Sequence, residues 1–262
     1  MDRPIRVALF GGPYLDAPAT RFALALRADP RIELVGVLCQ APAAGRAQRW
    51  HDLWRRRRLL AIGVLMRNAV FAALRWVANP KLAREQQRLE RQLEPLLCTV
   101  PDVHAPDVLE MVRAWRPDVG AIYGGPILRA ALFSIPEFGT LGIHHGRVPE
   151  YRGRKTTFWE IYNGEQVAGV TIQRIDAGID TGDVVKAGAV TIGRKGYGRI
   201  ERETQDLGIR LFVEAILEAR ARPMSGTPQP AVQGRHYGQP TGADLLRLWL
   251  RILARRFGAR ST

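Results

Sequence analysis

The alternation of strand-like and helix-like stretches at the amino-terminal end constrains the fold most. A strand-like run over residues 5–10 is followed by Gly11-Gly12-Pro13, a helically spaced stretch over 20–27, and a second strand-like run over 33–39. Strand, tight turn, helix and strand in that order describe a βαβ unit, which requires a parallel sheet with helices on its faces. The rhythm resumes downstream, with helices expected over 108–115, 129–133, 156–162 and 204–220. Strands are expected over 118–123, 141–144, 168–175 and 183–192, and Asn163-Gly164 stops the helix before it. The expected class is α/β, with a Rossmann-like, mostly parallel sheet.

The segment from 41 to 100 breaks this rhythm. Its length fits an insertion, because 262 residues accommodate one large domain, or a domain with a small appendage. The formal charge of +14 is concentrated there: residues 41–100 carry 12 Lys/Arg against 4 Asp/Glu, and residues 240–262 carry 5 against 1. The remaining 179 residues share only +2. Within the insertion Arg55-Arg56-Arg57-Arg58 precedes Leu59, Leu60, Ile62, Leu65, Val70, Phe71 and Leu74, with Arg67, Asn68 and Arg75 interrupting. A membrane span needs ~20 largely uncharged residues, so the reading is an amphipathic helical insertion without an obvious strand, packed on the core or facing a protein or membrane surface. Residues 229–237 read as a short extended segment. Residues 244–257 then read as a second amphipathic helix, with Leu246, Leu250, Leu253 and Phe257 on one face and Arg247, Arg251 and Arg255 on another. The expected organisation is a domain over 1–222 with its insertion at about 41–100, followed by a short extension over 223–262. Cys39 and Cys98 are too few for a disulfide framework and too far apart for a metal pair. A reducing, cytoplasmic compartment is expected, with the basic helices as candidates for a peripheral contact at the inner membrane surface.

The chemistry concentrates between Gly139 and Asp183. His144 falls at the end of a buried strand, and Asp180 lies in a glycine-flanked loop after another. In an open α/β sheet the crevice beyond the carboxyl ends of the strands is where ligands bind. A histidine there can carry a proton, and a nearby carboxylate can orient and charge it. Taken singly, each has a structural alternative: a strand-end histidine can be a hydrogen-bonded core group, and Asp-Thr-Gly can be a turn. Gly11 and Gly12 could likewise bring backbone N–H groups to a phosphate at the helix start, or simply form a turn.

Taken together, the motifs are more specific. His144, Pro149-Glu150-Tyr151-Arg152-Gly153, Asn163-Gly164-Glu165, Gly169-Val170-Thr171-Ile172 and Asp180-Thr181-Gly182-Asp183 occur in order. This series resembles the formyltransferase family, whose members take a formyl group from 10-formyltetrahydrofolate and include methionyl-tRNA, glycinamide ribonucleotide and amino-sugar formyltransferases. Upstream, Tyr123-Gly124-Gly125-Pro126-Ile127-Leu128 and Ile135-Pro136 look like the edge of that family's folate pocket. The resemblance covers residues 4–40 and 101–222.

The resemblance implies that His144 and Asp180 are catalytic and that Gly125, Ile127, Leu128, Gly178 and Asp180 hold the folate donor. For the acceptor it suggests Gly11, Gly12, His145, Arg147, Tyr151 and Arg152, with no metal. The implied reaction is transfer of the formyl group to the amine of a small acceptor, such as a nucleotide-linked amino sugar. A formyl-folate hydrolase and a folate- or nucleotide-binding relative with weakened catalysis are the alternatives. Transfer-RNA formylation in the family relies on a further carboxyl-terminal domain of roughly barrel size; here the segment after 222 reads as a short strand and one helix, and no nucleic-acid-binding signature accompanies the basic charge. Where the family has asparagine two residues before the histidine, this chain has Gly142. His145, Arg147, Lys155 or a backbone N–H are the local candidates to supply that hydrogen bond.

Overall fold

The computed structural model describes residues 3–12, 17–41, 80–221, 226–230 and 234–257. Seven strands, β1 (Ile5–Gly11), β2 (Ile32–Gln40), β3 (Leu97–Val100), β4 (Val119–Tyr123), β5 (Thr140–His144), β7 (Val167–Arg174) and β8 (Val184–Thr191), form one sheet in the order β3-β2-β1-β4-β5-β7-β8. From β3 to β5 every pairing is parallel. β7 then runs antiparallel to β5, and β8 antiparallel to β7. The short strands β6 (Tyr151–Gly153) and β9 (Arg235–Tyr237) pair in parallel beside the main sheet. The expected α/β, mostly parallel architecture is the observed one.

β1 sits near the middle of the sheet, and its side chains feed two cores. On one face Val7 and Leu9 meet Phe22 and Leu26 of α1 (Ala17–Ala28) and Phe212 and Ile216 of α6 (Tyr197–Glu218). On the other, Ala8 and Phe10 meet Val108 and Val112 of α3 (Pro106–Ala114) and Leu132 of α4 (Ala130–Phe133). This two-sided burial explains why β1 is apolar on both faces from Val7 to Phe10. Close packing also accounts for Gly36 in β2, where a Cβ would lie 2.7 Å from the Trp115 ring.

Two sequence expectations need correction. The insertion was expected to be helical over about 41–100, with no obvious strand from 41 to 97, yet β3 forms its last four residues and extends the sheet beside β2. Only four residues long and alternating between exposed and half-buried, Leu-Cys-Thr-Val carries too little apolar pattern to be recognised. Before it, α2 (Pro80–Leu93) ends on Leu93, which is fully buried in the core beneath α1. The last helix of the domain, α6, begins at Tyr197 rather than Thr204, because its first two turns are polar except for the buried Ile200. The arginine run at 55–58 and the apolar positions from Leu59 to Leu74 lie outside the described residues.

α5 (Thr156–Asn163) ends at Gly164 in the left-handed conformation, φ 87°, as the Asn-Gly pair suggested. Against it packs α7 (Gly242–Phe257), with Leu245, Leu248 and Ile252 entering a cluster with Phe158, Ile161 and Ile200. Leu246 and Leu250, on the face read as apolar, point outward. Among the described residues no helix is long and apolar enough to cross a membrane.

At the opposite end of the sheet from the crevice, Asp118 is only 2% exposed and accepts two hydrogen bonds from Arg3 and one from the Arg6 amide. Burial pushes this carboxyl up, but the Arg3 hydrogen bonds, the Arg6 amide and the charges of Arg3 and Arg220 outweigh it and hold it below the ordinary carboxylate value. Because the folded value is depressed, the stability it contributes is present above the ordinary value and lost as pH falls through the folded one. Asp118→Ala is expected to lower unfolding stability by about 1–3 kcal/mol at pH 7, read by urea denaturation, with the difference shrinking in strong acid.

Candidate active site

His144 is the last residue of β5, at the carboxyl edge where the parallel strands end. Its Nδ1 lies 3.3 Å from Oδ1 of Asp180, and its Nε2 lies 2.7 Å from the carbonyl oxygen of Tyr151. Both ring nitrogens therefore face oxygen acceptors, and only a doubly protonated ring donates to both. The histidine and aspartate singled out in sequence are thus in direct contact, nearly buried and partly buried respectively.

Asp180 adopts a left-handed conformation, φ 55°, which a short polar side chain tolerates better than most. Its carboxylate also accepts the Gly153 amide at 3.0 Å and the Gln173 side-chain amide at 3.0 Å. Burial raises the carboxyl, and the hydrogen bond and charge of His144, with Gly153 and Gln173, more than reverse that, so Asp180 stays ionised below the usual carboxylate range. The loop around it is tight. A Cβ on Gly182 would run into the Arg174 carbonyl, and one on Gly178 would run into Thr181.

Sequence reasoning missed the residues that hold this loop. Gln229, in the segment after α6, donates to the carbonyls of Gly182 at 2.7 Å and Asp180 at 3.0 Å, and its oxygen accepts from Arg152 at 2.7 Å. Gln173 reaches Asp180 from the neighbouring strand β7. A glutamine in a strand or an extended segment carries no distinctive spacing, so only the fold reveals either role.

Other candidates are placed differently. His145 turns to the opposite face of the sheet, with Nε2 3.2 Å from the Tyr123 hydroxyl. Its Nδ1 has no hydrogen-bond partner among the described residues. Burial first, then the charges of His144 and Lys155, lower it to about 4, so this ring is neutral at pH 7. Arg147 bonds to Glu165 at 2.7 Å and approaches Glu160, and the Tyr151 hydroxyl donates to Glu165. Lys155 pairs with Glu201. Gly11 ends β1, and Gly12 lies against the carbonyl of Gly124. Leu128 is buried in the core on the α3 face, whereas Ile127 and Ile179 stand exposed on the loops after β4 and before Asp180. Gly125 is so close to Phe10 and Ile122 that a Cβ would stand 3.0 Å from both. Gly142 leaves no vacant space: a Cβ there would be 2.6 Å from Ile175 and 3.0 Å from Ile122. Among the described residues no cluster of His, Cys, Asp and Glu could hold a metal ion.

The family model described as formyl transferase matches residues 72–216, more than half of the chain. The chain belongs to the formyl transferase family. A methionyl-tRNA formyltransferase from Chloroflexus aggregans is 40% identical over 113 residues, covering 42% of this chain and 37% of that protein. The chain thus matches less than half the length of this and other curated relatives. In fold it is similar to glycinamide ribonucleotide transformylase 1 from Symbiobacterium toebii, with a TM-score of 0.56 at 17% identity over 84% of this chain and 89% of that one. A formyltetrahydrofolate deformylase from Pseudomonas syringae gives 0.54 at 17% identity, covering 83% of this chain and 63% of that one. The family match starts at residue 72, so it takes in α2 and β3, which the motif resemblance had left out.

Two outcomes follow from the hydrogen-bond network. Gln229→Ala is expected to speed amide hydrogen exchange across residues 176–182 while leaving β8 unchanged, because two carbonyl contacts and one arginine contact disappear together. Glu160, fully buried, accepts the amides of Arg147 and Gly169; burial pushes it up to about 7 against those amides and the Arg147 charge. With a raised folded value, the stabilisation is complete below the ordinary carboxylate value and is lost as pH rises towards 7. Unfolding free energy measured from pH 4.5 to 7.5 should therefore carry a declining component that Glu160→Gln removes.

Proposed function

We propose that this chain transfers a formyl group from 10-formyltetrahydrofolate to the amine of a small acceptor, a nucleotide-linked amino sugar being the first candidate. The observation that carries this reading is the contact between His144 and Asp180 at the carboxyl edge of the sheet. Ile127, after β4, and Ile179, just before Asp180, are exposed apolar side chains that lie next in sequence to the backbone of the Gly124-Gly125 and Gly178 turns. Apolar side chains next to backbone amides and carbonyls suit a flat, hydrogen-bonding pterin. Gly125, Ile127, Leu128, Gly178 and Asp180 are the proposed donor residues, with Leu128 acting from the core behind the loop.

In this reading the acceptor amine attacks the formyl carbon, and negative charge develops on the formyl oxygen. His144, doubly protonated and paired with Asp180, donates to that oxygen or passes a proton to the leaving folate nitrogen. To do so its Nε2 exchanges the Tyr151 carbonyl for the substrate. Gly11 and Gly12 are the proposed acceptor-side backbone, whereas His145, a buried neutral ring beside Tyr123 on the other face of the sheet, is not placed to reach the acceptor. Arg147, Tyr151 and Arg152 act through the networks that hold the loops around His144 and Asp180.

A second reading, a folate- or nucleotide-binding relative with weakened catalysis, is favoured by one observation. Ile122 and Ile175 occupy the space at Gly142 where the family's asparagine side chain would start, and His145, Arg147 and Lys155 are each engaged elsewhere. Loss of one oxyanion donor costs ~3–4 kcal/mol, or a rate factor of ~10² to 10³.

Incubation with 10-formyltetrahydrofolate and a panel of amino-sugar nucleotides, glycinamide ribonucleotide and methionyl-tRNA separates the readings. Formyl transfer to a small amine, reduced ~10² to 10⁴-fold by His144→Ala with donor binding retained, is the expected result. Formyl release without amine would assign a hydrolase. Donor binding with neither reaction would leave the binding relative, and no binding of a tetrahydrofolate analogue at millimolar concentration would overturn the donor assignment.

A further inference from the structure

Six large apolar side chains are exposed among the described residues: Leu97, Ile127, Ile179, Leu246, Trp249 and Leu250. Ile127 and Ile179 stand on the loops after β4 and before Asp180, and Leu97 lies on the edge strand. The other three form a continuous strip on α7, at spacings of three and four residues, and they are 58%, 58% and 52% exposed. An isolated surface leucine needs no explanation, but a contiguous apolar strip marks a contact surface.

The strip cannot turn inward. Leu245, Leu248 and Ile252, on another side of the same helix, are already packed with Phe158, Trp159 and Tyr197. Arg251 lies over the Tyr162 ring, 4.8 Å from its centroid, and donates to the Tyr162 carbonyl, while Arg247 hydrogen-bonds with the Tyr162 side chain. These contacts fix the rotation of the helix about its axis, with Leu246, Trp249 and Leu250 facing out.

Charge selects the partner. α7 carries Arg247, Arg251, Arg255 and Arg256 against Asp244, a net +3, in a segment from 240 to 262 that nets +4. A second copy docked on this face would bring two positive helices together, a juxtaposition that costs energy. An anionic lipid surface meets both properties at once. It attracts the net positive charge of the segment, its acyl boundary takes the leucines, and the indole of Trp249 suits the headgroup level. The geometry points to α7 as an in-plane anchor that seats this domain on an anionic membrane surface. The helix lies along the bilayer, held to the domain by its inner face. This inference does not depend on the formyl-transfer reading.

Co-sedimentation of the full chain with phosphatidylcholine vesicles, with and without phosphatidylglycerol, at low and high salt tests it. The expected result is binding to the anionic vesicles that weakens as salt rises. Replacing Leu246, Trp249 and Leu250 together by Gln should weaken binding roughly tenfold or more with an unchanged melting temperature, since all three are exposed. Arg255→Glu with Arg256→Glu provides an independent charge test and should also weaken it. Absence of binding to anionic vesicles at low salt overturns the proposal, and so does binding that survives the triple substitution. A concentration-dependent dimer in gel filtration that the triple substitution abolishes would assign the strip to a second copy and overturn it as well.

Discussion

The carboxylate of Asp180 is the common acceptor at which three pieces of chain meet. His144 arrives from the end of a central strand, Gly153 from the small side sheet and Gln173 from the first antiparallel strand, and each supplies a donor to the same two oxygens. An acceptor-only group can satisfy all three, and the cost of burying it is met by those donors together with the histidine charge. The positive φ at this residue turns the loop so that the carboxylate points back at the sheet. Take away that one side chain and the crevice loses the common partner of its walls.

A second layer secures the first. Tyr237 of β9 stacks on Tyr151 and on Trp159, with ring centroids 5.1 and 5.3 Å apart, and the Asn163 amide bridges the hydroxyls of Tyr151 and Tyr237. The segment after α6 is thereby fastened across the β6 strand, within reach of the Asp180 loop, where Gln229 completes the attachment. Beneath it Glu160 ties the turn after β5 to the Gly169 amide of β7, at the place where the sheet changes from parallel to antiparallel. Residues after 222, which sequence motifs leave outside the family resemblance, therefore help to shape the crevice.

What was legible in the sequence follows physical lines. Strands buried on both faces, such as β1 and β2, announce themselves by mostly apolar stretches, broken only near their starts by the paired Arg6 and Glu33, and the helix before β7 by Asn163-Gly164. His144 and Asp180 were legible because their glycine neighbours and order are unusual. β3 was not, since an edge strand of four residues needs no apolar pattern. Which side of α7 meets the protein was not legible for a related reason: its helix is apolar on two sides, and periodicity shows amphipathicity without showing which side packs. Gln173 and Gln229 were invisible because their roles depend on contacts between distant parts of the chain. His145, adjacent to His144 in sequence, lies across the sheet from it by the simple alternation of side chains along a strand.

The filled space at Gly142 has a consequence for how this site could change through evolution. Ile122 and Ile175 stand against the glycine, so a larger residue there meets branched side chains on two separate elements rather than open solvent. A lone change of Gly142 to asparagine would arrive in a crowded position and lose packing before it offered any new hydrogen bond. The nearest atom is the tip of the Ile175 side chain, so a smaller or differently turned residue at 175 would relieve the contact. The two positions are therefore coupled: what fits at 142 depends on the side chain at 175.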